Sequence, residues 1–106
     1  MTDKVVVITG GGRGMGFEAT KKFLSLGARV FLGVRKPDTV ESKFKSELDP
    51  SQMERVTCIQ LDLLSTKSVR EFTEKLLNQT SSVHVLLNNG KFYLLAKKKN
   101  RLLFEI

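Results

Sequence analysis

The glycine-rich stretch TGGGRGMG, residues 9–16, constrains the fold more than any other feature of the chain. It follows residues 4–9, KVVVIT, whose β-branched run predicts a strand buried on both faces of a sheet. It precedes residues 14–26, whose apolar spacing predicts a helix, with Gly27 at the C′ position that ends it. A strand, a tight glycine turn and a helix in this order begin a βαβ unit.

The same alternation of strands and helices continues along the chain. Residues 28–34, 55–62 and 83–87 are short apolar runs that predict the second, third and fourth strands. Helical segments with short connections separate these runs, which implies right-handed crossovers and parallel strands. The predicted fold is therefore α/β, the N-terminal half of a Rossmann doubly wound parallel sheet in the order β-α-β-α-β-α-β, truncated after the fourth strand.

Each predicted helix carries an apolar face and recognisable ends. Asp38 is predicted to cap the second helix with Glu41 at its N3 position, and Asp49 with Pro50 is predicted to stop it. Ser65 precedes the third helix. The residues expected on the buried faces are Ala19, Phe23 and Leu26 in the first helix, Val40, Phe44 and Leu48 in the second, and Val69, Phe72 and Leu76 in the third.

Charge and composition narrow the range of partners and compartments. The 106 residues carry a formal net charge of +7, but five of the 18 basic residues follow Gly90, against one of the eleven acidic residues. Because the basicity is mostly a property of the tail, no nucleic-acid partner is predicted and membrane association is not expected. A single cysteine, Cys58, no apolar run approaching ~18 residues and no signal-peptide pattern lead us to expect a cytoplasmic location.

The glycines themselves indicate a phosphate site. They match the spacing T-G-x-x-x-G-x-G through Thr9, Gly10, Gly14 and Gly16. Glycine is needed where the chain turns tightly and where the backbone approaches a pyrophosphate, and the following helix N-terminus offers free N–H groups to the phosphates. The alternative is a purely structural turn, which the position between an N-terminal strand and a helix disfavours.

The residues that follow the second strand bear on the choice of cofactor. A free ribose 2′-hydroxyl usually pairs with a carboxylate at this place, but here no carboxylate precedes Asp38. Arg35, with Arg13 from the glycine loop, would instead clamp a 2′-phosphate through charge-assisted hydrogen bonds. We therefore predict NADP(H) in preference to NAD(H), the alternative being that both arginines are simply solvated.

Three motifs at the expected intervals carry a family resemblance: residues 9–16, Asp62-Leu63 after the third strand, and Asn88-Asn89 after the fourth. Through them the chain resembles the N-terminal part of the short-chain dehydrogenase/reductase family. Arg35 after the second strand and the pattern of residues 62–70 resemble the retinol dehydrogenase-like branch. The resemblance implies that Asp62 and Leu63 line the adenine and that Asn88 and Asn89 bound the cofactor site. The residues expected to bind the dinucleotide are Thr9, Gly10, Arg13, Gly14, Met15, Gly16, Arg35, Asp62, Leu63, Asn88 and Asn89.

The resemblance breaks after Asn89. The family continues Asn-Asn-Ala-Gly, whereas this chain reads Asn88-Asn89-Gly90-Lys91. Alanine codons begin GC and glycine codons GG, so a splice donor after the first G of codon 90, if read through, would give glycine followed by lysine. We therefore divide the chain into an NADP-binding Rossmann half-domain, 1–89, and a divergent basic and apolar tail, 90–106, with translated intron as one hypothesis for the tail. The tail has no clean periodicity, and a short amphipathic helix is one conformation it would allow.

Within the tail, Tyr93 and Lys97 reproduce the Tyr-x-x-x-Lys spacing of the family's catalytic pair. In the family this pair and a catalytic serine lie many tens of residues beyond the Asn-Asn motif, on a later strand and helix. A catalytic tyrosine needs a rigid position beside the substrate carbonyl, with a lysine that lowers its pKa. We therefore predict a chance spacing and assign no catalytic residue and no metal ligand.

The resemblance implies an NADP-dependent oxidoreductase that interconverts a small-molecule alcohol and a carbonyl by hydride transfer in a full-length form. The chain alone is expected to bind the cofactor without catalysis. Two alternatives remain: a non-catalytic dinucleotide-binding module that associates with a full-length relative, and a membrane or nucleic-acid binder that acts through the basic tail. An apolar fourth strand at the edge of the sheet also predicts self-association, and His84 at its start is expected to have a strand-edge role.

Overall fold

A computed structural model of the protein describes residues 2–10, 14–88, 94–98 and 101–105. The helices and strands are, in chain order, β1 (Val5–Thr9), α1 (Gly14–Ser25), β2 (Arg29–Val34), α2 (Pro37–Glu47), α3 (Pro50–Met53), β3 (Val56–Gln60), α4 (Thr66–Gln79), β4 (Val85–Asn88), β5 (Leu94–Lys98) and β6 (Arg101–Glu105). The four predicted strands and the three predicted long helices are all present. The α/β fold class is confirmed.

Four parallel strands form the main sheet, in the order β3-β2-β1-β4. β1 is central, and its Val7 pairs with Phe31 of β2 on one side and with Leu86 of β4 on the other. The strand order therefore reverses beside β1, which is the topological switch point where doubly wound sheets bind ligands at their carboxyl ends.

Each face of the sheet is covered by helices from one part of the chain. Val6 and Ile8 of β1 lie on the face covered by α1 and α2, whereas Val5 and Val7 lie on the face covered by α4. This alternation is the two-residue period of a strand. Phe44 of α2 and Phe72 of α4 are fully buried against these two faces.

The end of α1 corrects one predicted core residue. Gly27 occupies C′ with φ +91°, as predicted, its N–H bonds to the carbonyl of Leu24, and the Ala28 N–H bonds to the carbonyl of Phe23. This is the Schellman arrangement. Because the helix ends at Ser25, Leu24 takes the buried position and Leu26 is 45% exposed, so the prediction that Leu26 lies on the buried face was wrong.

The start of α2 is also different from the prediction. The helix begins two residues earlier, with Lys36 at the N-cap position and Pro37 as the first helical residue, and no side-chain hydrogen bond caps it. Asp38 therefore lies inside the first turn, and the predicted cap at Asp38 with Glu41 at N3 was wrong. The fixed φ of proline suits the first helical position, which is the physical reason that the helix begins there.

The predicted stop at Asp49 and Pro50 is in fact the start of another helix. α2 ends at Glu47, and Asp49 then caps α3 by accepting a 2.8 Å hydrogen bond from the amide of Gln52. The Gln52 side chain in turn accepts a hydrogen bond from the Asp49 amide, which completes a capping box. For α4 the predicted place of Ser65 before the helix is correct, and the structure adds that its side chain caps the helix by accepting from the amide of Ser68.

Beyond β4, β5 and β6 pair antiparallel as a separate two-stranded sheet. The sequence favoured no regular structure or a short helix here, so this prediction was wrong. Two apolar runs separated by a few polar residues are the sequence pattern of a β-hairpin. Their backbones register Leu95 opposite Phe104.

Candidate functional site

The carboxyl ends of β1 and β2 are joined by a backbone hydrogen bond. The Gly10 amide donates to the carbonyl oxygen of Gly33 at 2.9 Å. Gly10 has φ +73°, a conformation that side chains disfavour, so the chain turns here only because glycine occupies the position. Thr9 immediately before it is completely buried.

The N-terminus of α1 follows the glycine loop. Gly14 has φ +61°, and a Cβ added there would meet nothing within 4 Å, so open space lies over the first helical residue. No acidic residue occupies the first turn, which is described in full. Met15 is 82% exposed and Gly16 is buried. Free N–H groups, the positive end of the helix dipole and open space together fit a bound phosphate.

A cleft of about 470 Å³ opens beside this loop and is bounded by β1, β2 and α2. Its lining residues are Gly10, Val34, Arg35, Lys36, Thr39, Val40 and Lys43. Of these lining residues, all in the described part of the chain, three carry a positive charge and none carries a carboxylate. The cleft therefore suits an anion on the side where the second strand ends.

Asp62 is fixed in the turn between β3 and α4. Its amide donates to the Ser68 hydroxyl at 2.8 Å, and its Oδ1 accepts from the Leu64 amide at 3.0 Å. Leu63 is half-buried against the α4 face of the sheet, whereas Leu64 is 88% exposed. Both predicted residues thus lie at the carboxyl end of β3, which is the edge that also carries the glycine loop.

Asn88 ends β4, and its backbone lies in register with Thr9 of β1. The sheet therefore brings nine of the eleven predicted site residues to one edge: Thr9, Gly10, Gly14, Met15, Gly16, Arg35, Asp62, Leu63 and Asn88. Arg13 and Asn89 lie outside the described residues, as does Tyr93. Lys97 lies in β5 of the separate sheet.

Sequence reasoning missed Lys36, Thr39 and Lys43, which line the cleft. Thr39 and Lys43 are four residues apart and so share one face of α2. Had the start of α2 been placed at Pro37, a helical projection would have shown that Thr39 and Lys43 lie on the same face as each other, close after Arg35.

Cys58 is not part of this site. Burial, and to a smaller degree the nearby charge of Glu41, raises the pKa of its thiol to about 12, so the nucleophilic thiolate is scarce at neutral pH. Among the described residues, no three histidine, cysteine, aspartate or glutamate side chains are grouped closely enough to hold a metal ion. None of the described helices has both the length and the apolar character that a bilayer crossing requires.

Comparison with known proteins agrees with this geometry. The family model of short chain dehydrogenases matches residues 4–100. Retinol dehydrogenase 12 of Mus musculus is 38% identical over 90 residues, an alignment that covers 82% of this chain and 28% of that protein. The chain thus spans under a third of the length of this curated relative.

Two solved structures share the fold. Menthone neomenthol reductase from Mentha piperita superposes with a TM-score of 0.77 at 28% identity, over 85% of this chain and 32% of that one. The N-domain of a bacterial malonyl-CoA reductase, solved with NADP, gives a TM-score of 0.71 at 27% identity, over 83% of this chain and 16% of that one.

Proposed function

Because the chain belongs to the short chain dehydrogenase family, we propose that it is the NADP(H)-binding part of an oxidoreductase that interconverts an alcohol and a carbonyl. The observation that carries the cofactor preference is the cleft beside Gly10, which Arg35, Lys36 and Lys43 line and in which no lining residue that the structure describes is acidic.

The charge of the cleft distinguishes the two nicotinamide cofactors. A carboxylate after the second strand hydrogen-bonds a ribose 2′-hydroxyl and repels a 2′-phosphate, whereas cations attract the phosphate. Arg35 follows β2 directly and is exposed, so its forked guanidinium is available to a phosphate. The structural relative solved with NADP supports the same choice.

The remaining predicted residues have complementary parts in this proposal. Gly10, Gly14 and Gly16 let the backbone approach the pyrophosphate, and the N-terminus of α1 supplies N–H groups to it. Asp62 and Leu63 are proposed to line the adenine. When bound, the nicotinamide donates or accepts the hydride.

We also propose that these 106 residues bind the cofactor without catalysing the reaction. A tyrosine and lysine must be held rigidly beside the substrate and cofactor to transfer a proton. Lys97 lies in β5 of the separate two-stranded sheet and not in the four parallel strands that carry the site. The alcohol or carbonyl substrate is proposed for a longer protein that contains this part.

Isothermal titration of the whole chain with NADPH and with NADH tests the cofactor proposal. We expect NADPH to bind at least about tenfold more tightly, a difference of about 1.4 kcal/mol. Arg35→Glu should abolish this preference because it places a carboxylate where the 2′-phosphate would lie. Arg70→Glu, an exposed arginine on α4, is the matched control and should keep the preference.

Equal affinity for the two cofactors would overturn the NADP(H) preference. No heat with either cofactor, together with salt-dependent binding to anionic vesicles or RNA, would instead favour a binder that acts through the basic tail.

A further inference from the structure

We infer that Ser68 of α4 is a positioning residue for the adenine end of the dinucleotide, an inference that rests on the proposed function. Ser68 lies six residues beyond Asp62 and is not among the residues that the sequence assigned to the site. Its hydroxyl holds the backbone of Asp62, and the Asp62 carboxylate meets the exocyclic amino group of a bound adenine. The hydrogen bonds of the turn between β3 and α4 carry this inference.

The turn that carries Asp62 starts from strand ends that are tied together. The Leu61 amide donates to the carbonyl oxygen of Val34 at 2.8 Å, one residue before Arg35. Leu61 is 2% exposed and is therefore fixed in the core. Asp62 follows directly and is only half-buried, so it reaches solvent at the same edge of the sheet as Arg35 and the cleft.

Three hydrogen bonds close a ring through Asp62, Ser65 and Ser68. The Asp62 amide donates to the Ser68 hydroxyl at 2.8 Å. The Ser68 amide donates to the Ser65 hydroxyl at 3.2 Å, and the Ser65 amide donates to the Asp62 carbonyl oxygen at 3.1 Å. The N–H and the C=O of Asp62 are thus both bonded. The Ser65 side chain caps the helix, whereas the Ser68 side chain bonds back to the turn and fixes the backbone that carries the carboxylate.

One oxygen of the Asp62 carboxylate is held within the turn. Its Oδ1 accepts a 3.0 Å hydrogen bond from the Leu64 amide, which orients the side chain. Within the part of the chain that the structure describes, Oδ2 has no hydrogen-bond or ion-pair partner. The turn therefore presents one oriented acceptor to a ligand.

The ligand chemistry follows from this acceptor. The exocyclic amino group of adenine donates hydrogen bonds, and an ionised carboxylate only accepts them. Hypoxanthine has a carbonyl oxygen in place of the amino group, so two acceptors would face each other. A site built to bond a donor rejects the analogue that lacks it, because its own polar group is left unpaired. Such discrimination depends on where the carboxylate is held, so loss of the Ser68 hydroxyl should relax it.

The test is calorimetric titration of the whole chain with NADPH, with NADH and with the analogue of NADPH in which hypoxanthine replaces adenine. The affinity ratio of NADPH to the analogue reports recognition of the amino group, and that of NADPH to NADH reports the 2′-phosphate. Ser68→Ala removes the hydroxyl and Ser68→Thr keeps it. Thr73→Ala is the matched control on the same helix, because the Thr73 hydroxyl donates to the Val69 carbonyl instead of bonding to the turn. Circular dichroism checks that each variant is folded.

We expect the unsubstituted chain to bind NADPH at least about tenfold more tightly than the analogue, as for one hydrogen bond to a charged acceptor. Ser68→Ala should lower this ratio to less than about threefold and change the ratio of NADPH to NADH by less than about twofold. Ser68→Thr should restore the first ratio, and Thr73→Ala should change neither. Ser68→Cys keeps the shape of the side chain but offers a weaker acceptor, so it should also lower the first ratio, and it replaces Ser68→Ala if that variant does not fold.

The opposite results separate this inference from the function on which it rests. If Ser68→Ala keeps the ratio of NADPH to the analogue, or weakens all three ligands equally, the positioning role of Ser68 is wrong and the proposed function stands. If the unsubstituted chain binds NADPH and the analogue alike, Asp62 does not recognise the amino group and the inference fails, whichever of NADPH and NADH is preferred. If none of the three ligands binds, the proposed function fails and the inference fails with it.

Discussion

The amide of Gly10 donates a 2.9 Å hydrogen bond to the carbonyl oxygen of Gly33, which ties the glycine loop to the end of the neighbouring strand. The bond fixes one wall of the cleft relative to Arg35, two residues after Gly33. The backbone of Gly33 therefore helps to shape the site. The absence of a side chain at Gly33 leaves room for Leu61 and Phe72 in the core on the opposite face of the sheet.

Gly33→Ala should destabilise the chain by overpacking. A Cβ at this position would lie 2.5 Å from Cδ2 of Leu61 and 3.1 Å from Cε1 of Phe72. Inserting a methyl group into a filled core costs about 1–3 kcal/mol of unfolding free energy, which urea denaturation measures. Leu61→Ala removes Cδ2, the nearest of these atoms, so the double variant should be less destabilised than the two single losses added together. Strict additivity would contradict this explanation.

Arg55→Met should lower stability because Arg55 joins β3 to the end of α1. Its Nη1 donates to the carbonyl of Leu24 at 2.8 Å and to that of Ala28 at 3.0 Å. Both carbonyls lie in the last turn of the helix or just beyond it, where the negative end of the helix dipole also stabilises a cation. We expect a loss of about 1.5–3 kcal/mol in thermal or urea unfolding. Arg70→Met on α4 should change stability little, and an equal loss there would refute the capping role.

His84 has a structural role that a conservative substitution should reveal. Its Nδ1 accepts a 3.0 Å hydrogen bond from the amide of Val5, and its own amide donates to the Val5 carbonyl at 2.9 Å. His84→Ala leaves the Val5 N–H without that acceptor and should cost about 1–2 kcal/mol. His84→Asn places an oxygen where Nδ1 was and should recover most of the loss. Hydrogen exchange at the Val5 amide reports the bond directly, and equal exchange in both variants would disprove it.

We expect the unfolding free energy of the chain to decrease as the pH rises above 9, and we expect Cys58 to contribute to this decrease. Burial raises its thiol pKa from 9.0 to about 12, so above pH 9 the unfolded chain loses a proton that the folded chain keeps. The unfolded state then binds fewer protons, and the unfolding free energy decreases with pH through this window. Cys58→Ala should show a shallower decrease between pH 9 and 10 in urea denaturation. Parallel curves for the two proteins would show that folding does not raise the pKa of the thiol.

Self-association through β4 is a further prediction. β4 is at one end of the four-stranded order, and Leu87 within it is 37% exposed. Edge strands with apolar residues tend to pair with other chains. Light scattering should give a mass above 11.9 kDa, and Leu87→Lys should reduce it, whereas Leu26→Lys at the exposed end of α1 should not. A sharp monomer peak in light scattering, together with cooperative melting, would contradict the prediction.

The sequence predicted what depends on local pattern. The β-branched run before Thr9, the glycines after it and Gly27 at C′ each require one backbone geometry, so strand, turn and helix ends could be read directly. The alternation of apolar runs and helices then limited the sheet to parallel topologies. The glycine loop and Arg35 were predicted from their places after the first and second strands, whereas Asp62, Leu63, Asn88 and Asn89 were predicted from the family resemblance.

The errors arose where two local signals compete or where the outcome depends on distant residues. Leu24 and Leu26 both suit an apolar face, and only the point at which α1 ends decides which is buried. Asp38 and Pro37 are both good starts for a helix, and the proline prevailed. Lys43 was missed because only the residues directly after β2 were considered for the site, and the face of α2 that lines the cleft was not projected from a start at Pro37.

The central position of β1 also orders events in time. Val6 pairs with Val30 on one side and with Val85 on the other, so β1, which precedes both neighbours along the chain, gains the second of them only after residue 85 has been synthesised. Pairing across such a separation is slow because a long loop must close before any contact forms. Until β4 is synthesised, one edge of β1 stays open, and a nascent chain that pauses before residue 85 would expose the strand on which the dinucleotide site is built.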